Sequence, residues 1–281
     1  MKPGDAPLVP PGVVAARVRP WRGGRASEET DWIAEERPVA LVFNGISHAV
    51  MLASPADLDD FALGFAITEG LLETPAELYG IERVDGTEGI ELQLEVAAAA
   101  AWRLKDRRRS MAGRTGCGLC GTDSLAQLRR ALPPLPPVRV QTRAPARAQR
   151  ELRSLQAVQQ LTGASHAAAW CAGDGRVLLL REDIGRHNAL DKLIGALLRS
   201  GFERGAGFVA ITSRASFEMV QKSAMAGIAA LAAVSAPTAL AVESARTCGL
   251  ALAGFVRGDD FVAYTFPERF GLGTEPRDGH R

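Results

Sequence analysis

Two cysteines three residues apart, each flanked by glycine, offer the sharpest chemistry in this chain: Gly116-Cys117-Gly118-Leu119-Cys120-Gly121. Thiols at that spacing can meet across one turn, and the glycines let the backbone bend and leave the sulfurs uncovered. Thr122 or Asp123 can cap a helix through Leu125, Leu128 and Leu132, which places the pair just before a helix N-terminus. Arg107, Arg108, Arg109 and Arg114 lie upstream, Arg129 and Arg130 downstream. A positive helix end and clustered guanidinium groups both favour thiolate over thiol, so a reactive nucleophile is expected. Three chemistries compete. Half a zinc site would need Cys171, Cys248 or a histidine to complete it, since no second Cys-x-x-Cys is present. A thioredoxin-like dithiol wants the end of a strand in a βαβ unit, and an arginine-rich loop stands there instead. In sulfur carriage, the thiolate takes a sulfane sulfur and holds it as a persulfide, which asks for an exposed, activated, mobile cysteine.

Further along, polar residues gather where strands give way to helices. Arg181-Glu-Asp-Ile-Gly-Arg-His-Asn-Ala-Leu-Asp-Lys192 follows a strand and opens a helix. Glu182, Asp183, Arg186 and His187 then crowd a strand's carboxyl end, where open α/β sheets bind ligands. A charged cap with a solvated first turn would read the same way. In Thr212-Ser-Arg-Ala-Ser-Phe-Glu-Met-Val-Gln-Lys222, Ser213 and Ser216 carry hydroxyls and Arg214 can grip a phosphate bidentately. Ser216 is equally suited to a plain N-cap. Ser235-Ala-Pro-Thr238, Glu243-Ser-Ala-Arg246 and Phe255-Val256-Arg257-Gly258-Asp259-Asp260 are further strand-end groups, with Gly258-Asp259 suited to a turn. Junctions of this kind on one sheet point to a cleft for a phosphorylated, hydrogen-bonding ligand such as a nucleotide. Cys171 and Cys248 fall in apolar surroundings and read as buried and inert.

The elements that must position these groups follow from patterning. Val39–Phe43 and Ile46–Leu52 are apolar runs joined by Asn44-Gly45, the strongest short hairpin signal. Ser54-Pro55 reads as an N-cap with proline at the first helical position, before a helix that Gly70 ends. Ile81–Val96 reads as two strands around Asp85-Gly86. Residues 29–115 thus form a small α+β domain, preceded by a flexible tail over 1–28. Residues 116–150 comprise the cysteine loop, a short helix and a Pro/Arg-rich linker containing Pro133-Pro-Leu-Pro-Pro137. In 151–281 the pattern predicts helix 151–162, strands 166–171 and 176–181, helix 188–198, strand 208–212, helix 217–232, strand 238–242, helix 244–253 and strand 261–266. The fold class is α/β: a C-terminal three-layer α-β-α domain with cytidine-deaminase-like order, and a smaller N-terminal α+β domain. The zinc deaminase signature is missing, because none of His48, His166, His187 or His280 is followed two residues on by Glu.

Composition sets the outer limits. The 281 residues, 47% hydrophobic and 23% charged, suit a folded chain of two domains. A formal charge of +1 argues against coating nucleic acid or an anionic membrane. Between residues 101 and 153, however, 13 Lys or Arg face three acids. The apolar run 224–241 is broken by Gly227, Ser235 and Pro237 and reads as buried core, so no membrane span is expected. The first residues lack the apolar core of a secretory signal, which leads to an expected cytoplasmic location with reduced thiols.

From about Glu29 to Arg269 the chain resembles the formate dehydrogenase accessory sulfurtransferase family of FdhD type. The resemblance rests on Cys117-Gly-Leu-Cys120-Gly, on residues 182–192 and 213–222, and on Ser235-Ala-Pro-Thr-Ala-Leu-Ala-Val242. It implies a sulfurtransferase with a cysteine persulfide intermediate at Cys117, Cys120 being its partner. The sulfur would come from a cysteine desulfurase. It would pass to the bis-guanine-dinucleotide molybdenum cofactor, Mo-bis(molybdopterin guanine dinucleotide), bound as substrate, and so serve the formate dehydrogenase catalytic subunit. Residues 255–260 match the segment assigned to cofactor contact. The resemblance further implies a homodimer, and no permanently bound metal is expected. Pairing of Glu182 or Asp183 with a guanine edge would complete the binding set. Two rival readings are a cofactor chaperone without sulfur chemistry and a zinc-stabilised interaction module.

Overall fold

Asn44 and Gly45 both adopt positive φ, 46° and 77°, as a two-residue type I′ hairpin turn requires. They join β5 (Arg37–Phe43) to β6 (Ile46–Ala53). The turn is tied down across the sheet, since Asn44 Oδ1 accepts from Val96 N at 2.8 Å. A computed structural model describes residues 9–109 and 132–273, with side chains described as far as Leu104 in the first stretch. With β7 (Leu78–Asp85) and β8 (Ile90–Val96), these strands form a sheet of order β6-β5-β8-β7. Val39, Leu41, Phe43, Ile90, Leu92 and Leu94 alternate onto one face and bury against α1 (Leu58–Thr68). A helix α2 (Ala98–Arg109) follows β8.

The segment expected to be a tail carries strands. β1 (Val13–Val18) pairs antiparallel with β4 (Glu29–Ala34), and β2 (Trp21–Arg22) with β3 (Arg25–Ala26) beyond it. Pro, Gly and Arg mask the alternation that would have announced a ribbon. The proline stretch is not a free linker either: Leu135 N donates to Cys248 O, Val140 N to Arg269 O, and Leu135, Val138 and Val140 are buried.

The second sheet has the order β10-β9-β11-β12-β13-β14. Its strands are β9 (His166–Ala172), β10 (Val177–Asp183), β11 (Gly207–Ile211), β12 (Ala230–Ala233), β13 (Ala251–Arg257) and β14 (Asp260–Thr265). The helices are α3 (Ala144–Leu155), α4 (Ala157–Thr162), α5 (Arg186–Ser200), α6 (Phe217–Met225) and α7 (Ala239–Cys248). Strands β11 and β12 are buried at every residue, so both faces of the sheet centre are covered.

Four expectations change here. The helix expected over 217–232 stops at Met225, and β12 follows. Gly227 at φ 74° breaks the helix. A fully buried parallel strand of alanines and leucine has no period-2 signal, so pattern alone cannot tell it from a buried helix. The expected strand 238–242 is instead the start of α7, with Thr238 Oγ1 accepting from Ala241 N. The expected helix 244–253 ends at Cys248, after which β13 runs to Arg257. The helix expected over 151–162 is broken at Gln156 into α3 and α4.

α1 is buried almost all round and also packs on α5. The two helices approach through glycine. A Cβ at Gly64 would overlap the backbone carbonyl of Asp191, and one at Gly195 that of Asp60.

Candidate functional site

Strand directions bring the sequence clusters to one place. β11, β12 and β13 are mutually parallel, and β10 shares their sense because both β10 and β11 run antiparallel to β9. The carboxyl ends of four strands therefore share one sheet edge. That edge holds Arg186 and His187 after β10, Thr212–Ser216 after β11, Val234–Thr238 after β12 and Phe255–Arg257 at the end of β13. From β10 to β13 the edge spans four strand spacings, about 19 Å. This is the length of an extended ligand rather than a small one.

The loops on this edge are joined by backbone hydrogen bonds. Ala215 N donates to Ala236 O, Thr238 N to Ala215 O, and Phe255 N to Ser235 O. Phe255 takes φ 51° at a bulge in β13, a left-handed conformation unusual for an aromatic residue. Phe255 is 39% exposed, with the Arg257 guanidinium carbon 5.7 Å from its ring centroid. Val256 faces the core. Gly258 O and Asp259 accept from Arg150 of α3, which holds the β13–β14 turn. Asp260 is exposed at the start of β14.

Ser213 Oγ donates to Arg214 O, and Arg214 extends into solvent. Ser216 occupies the N-cap of α6 without a side-chain cap, its Oγ lying 3.4 Å from Glu218 Oε2. His187 Nε2 sits 2.8 Å from the same Glu218 oxygen, with Arg186 Nη2 at 4.0 Å. Burial opposes the charge on Glu218, but the His187 hydrogen bond and charge outweigh it and lower its pKa. His166 at the start of β9 reaches Thr212 Oγ1 at 3.4 Å. Its pKa is lowered by burial and by the charges of Arg186 and His187. Sequence reasoning left His166 and Glu218 off the site. Glu218 lies two residues beyond Ser216, and only its contact with His187 marks it out.

Glu182 and Asp183 serve a different purpose from the expected guanine contact. Asp183 is 1% exposed. Its carboxylate accepts from Ser54 N and Oγ, Gly185 N and Asn188 Nδ2, and pairs with Lys192 Nζ at 2.7 Å. Lys192 also donates to Ser54 O and Oγ. Ser54 is therefore a bridge to the C-terminal sheet, and the N-cap of α1 is Asp57 in a left-handed conformation. Glu182 accepts from Val158 N, Gln159 N and Ser165 Oγ, capping α4. Asp191 accepts from Thr68 Oγ1 and pairs with Lys222. Asp183, Asp191 and Lys192 thus tie the C-terminal part to the N-terminal one and Glu182 caps α4, while Arg186 and His187 stay at the sheet edge.

Cys117 and Cys120 lie outside the described residues. Cys171 and Cys248 are buried, and burial pushes both thiols up in pKa. Among the described residues no three His, Cys, Asp or Glu side chains cluster as a metal set, and no helix is long and apolar enough to cross a membrane.

The FdhD/NarQ family model matches residues 34–271, which takes in both sheets and both Cys117 and Cys120. The chain belongs to the FdhD/NarQ family. Among FdhD/NarQ relatives, the sulfur carrier protein FdhD of Variovorax paradoxus is 61% identical over 96% of this chain and 95% of its own. The proteins of the same name from Bordetella petrii and Cupriavidus necator are 56% and 54% identical, over 89% and 95% of this chain and 91% and 92% of their own. A crystal structure from Desulfotalea psychrophila, named as a candidate formate dehydrogenase accessory protein, superposes with a TM-score of 0.73. It covers 92% of this chain and 99% of its own at 23% identity, a likeness of fold.

Proposed function

We propose that this FdhD/NarQ chain is a sulfur carrier in formate dehydrogenase maturation. The observation that carries the reading is 61% identity, over nearly the whole chain, to a protein named for sulfur carriage. In the first step the Cys117 thiolate attacks the terminal sulfur of a cysteine desulfurase persulfide. The donor's S–S bond breaks, a new S–S bond forms at Cys117, and the donor cysteine leaves as thiolate. Cys120, three residues on in the sequence, is read as the partner of Cys117 in this chemistry.

The acceptor in this reading is the bis-guanine-dinucleotide molybdenum cofactor, bound as substrate along the carboxyl edge of the C-terminal sheet. Arg186, His187 and Arg214 supply positive charge for its phosphates, with the N-terminus of α6 and the hydroxyls of Ser213 and Ser216 beside them. Residues 255–260 supply an exposed ring and a guanidinium that a guanine can stack against. The sulfurated cofactor then passes to the formate dehydrogenase catalytic subunit. The protein works as a homodimer in the cytoplasm.

The test is to incubate reduced protein with a cysteine desulfurase and cysteine, then take intact and peptide mass spectra. A gain of one sulfur on the peptide holding Cys117, lost in Cys117→Ala together with activation of formate dehydrogenase, supports the carrier reading. Guanine-nucleotide binding with no sulfur gain, and full activation by Cys117→Ala, would replace it with a chaperone that only hands over the cofactor.

A further inference from the structure

Glu218 sits in the first turn of α6 with one carboxylate oxygen occupied and the other open. His187 Nε2 at 2.8 Å, Ser216 Oγ at 3.4 Å and Arg186 Nη2 at 4.0 Å all meet Oε2, and Oε1 has no partner among the described residues. The side chain is 21% exposed, so a ligand can reach it while little water competes. Burial works against the charge, but the His187 hydrogen bond outweighs it and keeps the carboxylate ionised. Beside it, the Arg186 guanidinium makes no hydrogen bond among the described residues, and its Nε is buried without an acceptor. An open acceptor and an unsatisfied donor thus lie side by side on the carboxyl edge of the C-terminal sheet.

What the open oxygen accepts follows from its neighbours. A phosphate is repelled by the carboxylate itself. A metal cation would meet the Arg186 guanidinium on the same group. A neutral ligand with N–H donors satisfies both limits. Guanine carries two adjacent donors, N1–H and the N2 amine, that match the two oxygens of a carboxylate, with the acceptor O6 next to N1. Adenine instead presents an acceptor at N1, which a carboxylate rejects. Resting on the cofactor-binding reading of this edge, we infer that Glu218 reads the Watson–Crick edge of one guanine. The N2 amine donates to the open Oε1, N1–H donates to Oε2 beside His187, and O6 faces Arg186, whose other donors stay with the phosphates. Glu218 takes the role expected of Glu182 and Asp183, both of which are held by other partners in the fold. Phe255 and Arg257 are left for the second guanine.

Isothermal titration of the full chain with nucleoside diphosphates that differ only in the base tests this. The wild type is expected to bind guanosine diphosphate about thirtyfold more tightly than inosine diphosphate, which lacks the amine, the worth of a hydrogen bond to a charged group. Adenosine diphosphate should bind more weakly still. Glu218→Ala removes the preference: guanosine diphosphate falls to the level of inosine diphosphate, while the affinity for adenosine diphosphate holds. Glu218→Gln reverses it. His187 keeps the amide oxygen at the place of Oε2, so an N–H donor replaces the open acceptor. Xanthosine diphosphate, with a carbonyl where guanine has its amine, then gains about tenfold. A structural role for Glu218 would not produce that gain, and it is read independently of how well Glu218→Ala folds. A wild type that prefers guanosine over inosine diphosphate, with the same preference in both variants, overturns the assignment to Glu218 and leaves the cofactor site standing. A wild type that binds none of these diphosphates overturns the cofactor-binding reading together with it.

Discussion

Lys222 Nζ lies 2.9 Å from Asp191 Oδ2, and the pair is sealed between α1, α5 and α6. Thr68 Oγ1 donates to Asp191, and Lys222 Nζ donates to both Thr68 Oγ1 and Glu69. Burial opposes the charge on Lys222, but Asp191 and Glu69 outweigh it and hold its pKa above the usual lysine value. Burial raises the pKa of Asp191. Lys222→Met strands a buried carboxylate, which costs about 3–5 kcal/mol. Asp191 in that variant binds a proton more tightly folded than unfolded, so folding weakens as pH rises through the unfolded carboxylate range and up to the folded value. Urea denaturation should therefore show a larger loss at pH 8 than at pH 5. Replacing both residues by apolar ones should recover much of it.

Gly195→Ala drives a methyl into the Asp60 carbonyl, a backbone atom that cannot step aside. The variant should lose about 2–4 kcal/mol or fail to fold, because overpacking at a helix crossing shifts both elements. Gly201→Ala is the control for intrinsic glycine effects: its φ of 73° strains an alanine, but open space surrounds it. Thermal melting of the pair separates collision from backbone preference, the Gly195 variant melting lower.

Arg214→Ala and Asp183→Asn should part company. Arg214 is exposed and points off the edge, so its loss should weaken guanosine diphosphate binding about tenfold, the worth of one charge-assisted phosphate contact. Stability should not change. Asp183→Asn leaves Lys192 buried without its anion and should destabilise by several kcal/mol. Isothermal titration and urea melts on both variants check the pair; equal loss of affinity in a folded Asp183→Asn would return that residue to the ligand site.

Much of this was legible beforehand. The Asn44-Gly45 hairpin, helix α5 and the gathering of polar groups at strand ends all follow from short-range signals. What the sequence could not reveal was the group opposite. Asp183 and Arg186 look alike as polar residues after a strand, yet Ser54 and Lys192 enclose one while the other remains partly open. That distinction depends on an element more than a hundred residues away. The strand β12 was missed for a related reason: burial on both faces erases the alternation by which strands are recognised.

His166 reports on the charge of the edge. Its folded pKa lies below the unfolded value of about 6.5. The unfolded chain therefore takes up the proton first as pH falls. The contribution of His166 to stability is intact above that value and is lost as pH drops through it towards the folded value. NMR titration should place its midpoint below that of a free histidine. Arg186→Ala should move it upward, and a phosphate-bearing ligand on the edge should do the same.

α1 supplies side chains to the N-terminal core on one side and closes against α5 on the other. Once this helix leaves, the N-terminal sheet loses the cover of its hydrophobic face and α5 loses the partner against which its outer side is closed. The two sheets should consequently melt in a single cooperative step, with calorimetric and van't Hoff enthalpies in agreement. A fragment ending at residue 109 should behave as a collapsed, dye-binding state rather than a folded half.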